Sequence, residues 1–260
     1  MKFALAGNPN SGKTTLFNTL TGATAHVGNW PGVTVDKREG TYKKLKENVQ
    51  IVDLPGIYSL SPYTPEEIVS RNYIIDENPD CVINIVDATN LERNLYLTTQ
   101  ILEIDVPVII ALNMIDAVKK SGDSIDIKAL EEKLNVPVVA ISALKNTGIK
   151  ELMEKAYSVS KSKRVGYTIL KDTNLYPLVQ KAQQELELQN VKSPLFHAVK
   201  MIEEDSVEKE MHKDIALNID NEKKKIDASA FDDDFEGMVA DARYKYITNL
   251  SLIHISEPTR

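Results

Sequence analysis

Cysteine is almost absent from this chain: Cys81 stands alone among 260 residues. One cysteine can form no internal disulfide and no cysteine-based metal cluster. It sits in an apolar, strand-like run, so a core position and a reducing, cytosolic compartment are expected. Long hydrophobic runs are lacking too. None approaches the roughly 20 apolar residues of a membrane-spanning helix, so the chain as given is not expected to span a membrane. No leader is expected before the first strand, because a glycine motif already begins at residue 7. Positive charge is not in excess. The net charge of −7 lacks the basic footprint of a nucleic-acid binder, and no nucleic-acid partner is expected. Histidines are few, and His26, His197, His212 and His254 show no ligand spacing, so none is assigned to a metal. What is present, 42% hydrophobic and 27% charged residues, is ordinary for a soluble globular protein of one or two domains.

Glycine divides the chain. Of 11 glycines, all but Gly166 and Gly237 precede residue 150. In this first part short apolar runs at residues 3–6, 49–52, 81–86, 107–112 and 137–141 alternate with helical stretches such as 91–103 and 149–158. Continuous apolar strands in repeated βα units predict a mostly parallel sheet covered on both faces. Residues 33–45 alternate and carry charge, which predicts an edge strand. From about Tyr167 the pattern becomes helical. Leu175, Leu178, Val179, Ala182 and Leu186 form one stripe. Ser193-Pro194 reads as an N-cap followed by proline at the first helical position, and Phe196, Val199 and Ile202 continue that helix. Phe231, Phe235, Met238, Ala242 and Tyr246 form another stripe at steps of three and four. These stripes are expected to be helix-packing core. Asp232, Asp233, Asp234 and Glu236 lack calcium-loop spacing and read as a solvated helix start. Residues 251–260 fit no stripe or motif. They read as a translated sequencing adapter, with the natural chain continuing beyond about Leu250.

Four motifs fall at the expected carboxyl ends of strands, where ligands bind in such sheets. Residues 7–14, Gly-Asn-Pro-Asn-Ser-Gly-Lys-Thr, match the Gly-x4-Gly-Lys-Ser/Thr phosphate loop without a mismatch. Unpaired N–H groups at the helix start would face phosphate oxygens, Lys13 would reach the β and γ phosphates, and the Thr14 hydroxyl would hold Mg2+. Asp53-Leu54-Pro55-Gly56 follows the run 49–52. Asp53 can hold magnesium through water, and the Gly56 N–H can face the γ-phosphate. Asn113-Met114-Ile115-Asp116 follows the run 107–112. The Asp116 carboxylate accepts only, which matches the paired N–H donors of guanine and not adenine. Ser142-Ala143-Leu144 would close on the base oxygen through backbone N–H groups.

The chain here resembles GTP-binding proteins of the translation-factor-related class. Residues 27–35, Val-Gly-Asn-Trp-Pro-Gly-Val-Thr-Val, closely resemble the switch I loop of the ferrous iron transport protein B (FeoB) family. Asn-Pro-Asn-Ser-Gly-Lys-Thr-Thr-Leu-Phe-Asn at 8–18 and Asp-Leu-Pro-Gly-Ile-Tyr-Ser-Leu at 53–60 look like that family as well. Ala240-Asp241-Ala242-Arg243-Tyr244 matches its usual approach to the membrane part. The resemblance implies an α/β, Ras-like P-loop G domain at residues 1–163, then a small all-helical regulatory domain at 167–250 that limits nucleotide release. It implies GTP and GDP as ligands and GTP hydrolysis as the activity. A C-terminal membrane transporter part, small cytosolic regulators and a homo-oligomer are the implied partners. The full-length protein is expected in the bacterial inner membrane, with this part on the cytoplasmic side. The GTP-binding set becomes Gly7, Asn8, Pro9, Asn10, Ser11, Gly12, Lys13, Thr14, Thr15, Gly32, Val33, Thr34, Asp53, Gly56, Asn113, Met114, Asp116, Ser142, Ala143 and Leu144. Magnesium falls to Thr14, Thr34 and Asp53. Lys13, Thr34, Gly56 and Asn10 are the implied catalytic groups.

The residue after Asp-x-x-Gly is Ile57, where many GTPases place a glutamine that orients the attacking water. Isoleucine cannot hydrogen-bond water. In the resembling family the asparagine at position 10 helps bind K+, completed by backbone carbonyls at Gly28 and Trp30; such a cation would neutralise charge developing between the β and γ phosphates. Asn10 can equally be a turn residue, and Trp30 an apolar plug or a partner-facing anchor. Two other functions stay open: a soluble GTPase of ribosome or transfer-RNA maturation, and a GTP sensor without significant turnover. The acidic helical segment, with Glu203-Glu204-Asp205 and residues 232–234, argues against the first.

Overall fold

The computed structural model describes residues 1–254. Seven strands form one sheet in the order β2-β3-β4-β1-β5-β6-β7: β1 (Lys2–Gly7), β2 (His26–Asn29), β3 (Asp36–Tyr42), β4 (Val49–Asp53), β5 (Cys81–Asp87), β6 (Val108–Asn113) and β7 (Val138–Ala140). The pairs β1–β4, β1–β5, β5–β6 and β6–β7 are parallel; β2–β3 and β3–β4 are antiparallel. The five apolar runs are the five parallel strands. Side chains alternate across the sheet. Phe3, Leu5, Ile51, Ile83 and Ile109 share a core with Leu16 and Phe17 of α1 (Lys13–Thr21) and with Leu152 and Met153 of α6 (Ile149–Val159). Their neighbours Ala4, Val52, Val82 and Ile110 are fully buried as well. The first part is thus a mostly parallel α/β sheet, as its continuous apolar strands require.

One expectation about the sheet is corrected. The stretch 33–45 contains β3, but β3 is interior, because β2 pairs along its outer side from His26↔Glu39 to Asn29↔Asp36. Part of the expected loop 27–35 is therefore the true edge strand. All four β2 residues are exposed. Backbone pairing alone holds them, so they leave no hydrophobic alternation to read.

Other helices of the first unit are α2 (Pro65–Asp76), α3 (Leu91–Ile101), whose last residues from Thr99 belong to the second unit, α4 (Ile115–Ser121) and α5 (Ile127–Leu134). The second unit comprises α7 (Tyr176–Leu188), α8 (Pro194–Ile202), α9 (Ser206–Met211), α10 (Lys213–Lys223) and α11 (Phe235–His254), whose last residues belong to the first unit. Its core contains Leu175, Leu178, Val179, Ala182, Leu186, Val199, Ile202, Phe235 and Met238, with Phe231, Ala242 and Tyr246 packed against it. The stripes are core. Asp234 caps α11 by accepting the Gly237 N–H at 2.9 Å, and Asp232 and Asp233 are exposed.

Ser193 is corrected. It precedes Pro194 in a left-handed conformation (φ 50°) and makes no side-chain cap. Its hydroxyl instead accepts the Asp105 N–H at 3.0 Å. Residues Thr99–Asp105 belong with the helical unit, although they precede it in sequence by some sixty positions. Helix α11 runs into the tail singled out at 251–260; residues 255–260 lie outside the described residues.

Candidate functional site

The phosphate loop connects β1 to α1. At Gly7 a Cβ would lie 2.6 Å from the Ile85 carbonyl oxygen, and Gly12 has φ 88° with Asn113 Nδ2 in the space a Cβ would take. Both positions need glycine. Asn10 also turns left-handed, at φ 66°. Gly12 caps α1 without a side-chain bond, and the helix ladder begins with Leu16 N–H to Gly12 C=O. The amides before it therefore have no helical acceptor. They border a cavity of about 580 Å³ lined by Asn8, Pro9, Asn10, Gly12, Lys13, Thr14, Thr15, Gly56 and Met114. Inside the loop, Asn8 Oδ1 and Ser11 Oγ are buried with no hydrogen-bond partner. Gly56 approaches Pro9 so closely that a Cβ would lie 3.2 Å from its Cα.

An adjoining cavity of about 410 Å³ is lined by Lys13, Thr14, Thr34, Asp36, Arg38, Asp53 and Glu66, among others. The three expected magnesium residues therefore face one space, and their oxygen donors suit a hard cation. Lys13 Nζ donates to Asp53 Oδ1 at 2.5 Å, and both residues are buried. Burial pushes the Asp53 carboxyl above its ordinary range, while Lys13 and Arg38 pull it back. Arg38 carries no motif. The register that pairs it with Asp53 across β3 and β4 brings it there.

Asn113 and Asp116 do different work. Asn113 is buried; its Nδ2 donates to Ser11 C=O and its Oδ1 accepts the Ala143 N–H, both at 2.9 Å. It brackets the phosphate loop to the loop after β7. The Ser142 N–H donates to Thr147 C=O. Two of the three amides expected to close on the base oxygen are thus engaged within the protein, and Leu144, whose side chain is exposed, follows them. Asp116 stands at the start of α4 with its carboxylate 3.1 Å from Lys145 Nζ. Hydrogen bonds from Ser142 and Lys145 hold it below the usual carboxylate range, so it is ionised and accepts only.

The segment after β2 is a hairpin turn. Trp30 N–H donates to Val35 C=O, and Trp30 C=O accepts the Val33 N–H. Gly28 lies in β2 opposite Lys37. Neither Gly28 nor Trp30 borders the cavity that Asn10 lines, so the expected potassium ligands are not brought together here. Pairing across the hairpin commits that backbone to the sheet. The Trp30 indole is buried, edge-on to Tyr73 at 5.4 Å and beneath Lys37 Nζ at 5.1 Å, as an apolar plug would be. Gly32 and Thr34 are exposed and Val33 half-buried. Ile57 is buried, and its N–H donates to Gly7 C=O at 3.2 Å. Its side chain cannot orient water at the phosphates.

Among the described residues no helix is long and apolar enough to cross a membrane. The family described as "Ferrous iron transport protein B" matches residues 1–156, and the "FeoB cytosolic helical domain" matches residues 173–251. A fusion protein of Porphyromonas gingivalis, "Fe(2+) transport protein A/Fe(2+) transporter FeoB", is 42% identical over 221 residues, 82% of this chain and 26% of that protein. The "Fe(2+) transporter FeoB" of Salmonella typhimurium is 38% identical over 256 residues, 95% of this chain and 32% of that protein. The chain thus spans about a quarter to a third of the length of these relatives. The cytosolic domain of T. maritima FeoB in its GMPPNP form is similar with a TM-score of 0.87 at 30% identity, covering 99% of this chain and 100% of that one. A GDP-bound mutant of the S. thermophilus FeoB G-domain gives 0.85 at 40% identity, covering 98% and 100%. The P-loop unit is a GTP-binding G-domain fold.

Proposed function

The chain belongs to the ferrous iron transport protein B family, and on that premise we propose that it is the GTP-hydrolysing switch module of a ferrous iron transporter. The rest of a longer protein would supply the membrane path. One observation carries the reading: Lys13, Thr14, Thr34 and Asp53 border one space beside the open amides of the phosphate loop, with the ionised Asp116 at the start of α4. GTP would take Lys13 from Asp53 through its β and γ phosphates. Thr14, Thr34 and Asp53 would then hold Mg2+, which supplies charge neutralisation to the phosphates. Thr34 and Gly56 would sense the γ-phosphate, since both lie on segments that GTP can order and hydrolysis can release.

With Ile57 buried, hydrolysis would be slow, or the attacking water would be held by backbone and by other groups. We read hydrolysis as slow and K+-assisted. Asn10 lines the phosphate cavity in an exposed left-handed turn, which supports it as the side-chain ligand. For Gly28 and Trp30 to add carbonyls the β2–β3 hairpin has to open when GTP orders it. Steady-state GTP turnover in potassium against sodium, with Asn10→Ala beside the parent, tests this. Strong potassium stimulation that the variant loses is expected, and equal rates in both salts refute the potassium role. The burial of Ile57 favours one second reading, a GTP sensor without significant turnover. Release of several phosphates per chain excludes it.

A further inference from the structure

The sequence offers no histidine pattern, yet folding brings two histidines to one carboxylate inside the helical unit. His197 lies in α8 and Glu208 in α9, and His212 is the residue at which α9 ends and α10 begins. His197 Nδ1 is 2.8 Å from Glu208 Oε2, and His212 Nε2 is 3.9 Å from the same oxygen. One ligand-capable atom from each residue lies within 4.8 Å of the other two. The Glu208 side chain is 0% exposed, His197 7% and His212 11%.

The cluster is more polar than helix packing requires, and one atom in it is unsatisfied: His212 Nε2 is buried with no hydrogen-bond partner. Such a nitrogen calls for a ligand. Donors around a tetrahedral ion bound at about 2.0–2.1 Å lie roughly 3.3 Å apart. The 2.8 and 3.9 Å separations straddle that value, and with all three atoms within 4.8 Å of one another side-chain adjustments of about an ångström would close the site. Burial holds the His212 imidazole below its ordinary range, with Glu208 opposing and His197 adding to the effect. Two imidazoles and one carboxylate suit zinc and other first-row divalent ions and leave a position for water. Magnesium and calcium prefer oxygen donors throughout.

We propose that His197, Glu208 and His212 bind one divalent first-row transition-metal ion, which ties α8 to the α9–α10 junction. Binding replaces the His197–Glu208 hydrogen bond with two metal bonds, and the imidazole N–H of His197 then sits on Nε2. The site uses none of the nucleotide residues and stands or falls independently of the GTPase reading.

The test is a Co2+ titration of the chelator-stripped 260-residue chain, with excess Mg2+ and GDP occupying the nucleotide site. One equivalent should bind with visible d–d absorption, Zn2+ should displace it, and further Mg2+ should not. His212→Ala and His197→Ala should each weaken binding by about a hundredfold or more with GDP affinity retained. Anaerobic Fe2+ that displaces Co2+ as well as zinc does would make iron an occupant; displacement by zinc alone would make the site a zinc site. Absence of Co2+ binding, or binding that neither variant weakens, overturns the proposal. Should the variants fail to fold, X-ray absorption on the zinc-loaded parent decides. A first shell with two imidazoles upholds the site, and an all-oxygen shell overturns it.

Discussion

Asn113 shows how a single side chain can tie two loops of a candidate nucleotide site together. Its amide spans from Ser11 C=O to the Ala143 N–H, and its Nδ2 fills the space that makes Gly12 obligatory. Asn113→Ala leaves a buried donor and a buried acceptor unpaired. It should cost about 1–3 kcal/mol of stability, read as a lower urea midpoint, and should weaken GDP binding by loosening both loops. A variant with unchanged stability and affinity would show that the bracket is dispensable. Asp116 acts by its charge. Asp116→Asn removes an acceptor-only group and should weaken GTP roughly 10- to 100-fold while admitting xanthosine triphosphate, checked by competition between the two nucleotides. Unchanged guanine preference would refute the base assignment.

At the scale of elements, starts and edges decide more than periodicity does. Helix α2 begins in a capping box. Thr64 Oγ1 accepts the Glu67 N–H at 3.2 Å, the Glu67 carboxylate accepts the Thr64 N–H at 3.2 Å, and Pro65 opens the helix. Thr64→Ala should lower stability by about 1 kcal/mol and Thr64→Ser by much less, measured by chemical denaturation. Equal losses would mean that the hydroxyl does not cap. Helix α8 also has its proline, but its preceding serine turns away to Asp105. Both helices open on a hydroxyl residue and proline; Glu67 completes the box in α2, whereas Phe196 stands at that position in α8 and the serine is left to Asp105. Strand β2 makes the same point for sheets, since it exists through its pairing with β3 and carries no hydrophobic pattern of its own.

At the scale of the whole molecule, the helical unit is anchored by a buried ionic network. Arg243 Nη2 lies 2.8 Å from Glu103 Oε2 and 3.0 Å from Glu203 Oε1, and Nη1 donates to Thr99 Oγ1 at 3.0 Å. Thr168 donates to Glu103 as well. Burial pushes the Glu103 carboxyl up, and Arg243 pulls it back. Burial also raises Glu203, but Lys200 and Arg243 outweigh it and hold that carboxyl below its ordinary range. Arg243→Ala strands the buried Glu103 carboxylate and leaves Glu203 to Lys200 alone, which should cost about 3–5 kcal/mol, seen as a fall in the thermal or denaturant midpoint. A loss under about 1 kcal/mol would place the network among the dispensable ion pairs. This network explains why residues 99–105 belong to the helical unit, where a boundary drawn near residue 163 leaves them out.

The sequence by itself determined the five parallel strands, the helical stripes and the motif residues at strand ends. Each of these is local: apolar runs, steps of three and four, and glycines that no other residue can replace. It also determined the family, through the motifs that follow the phosphate loop. Tertiary structure alone decided what lies far apart in the chain and meets through the backbone. It made β3 interior, placed Arg38 beside Asp53, turned Asn113 into a bracket, withdrew Ser193 from its cap and buried Trp30 against Tyr73. It gathered His197, Glu208 and His212 around one point. Register and helix crossing set those contacts, and neither leaves a trace in the spacing of residues along the chain.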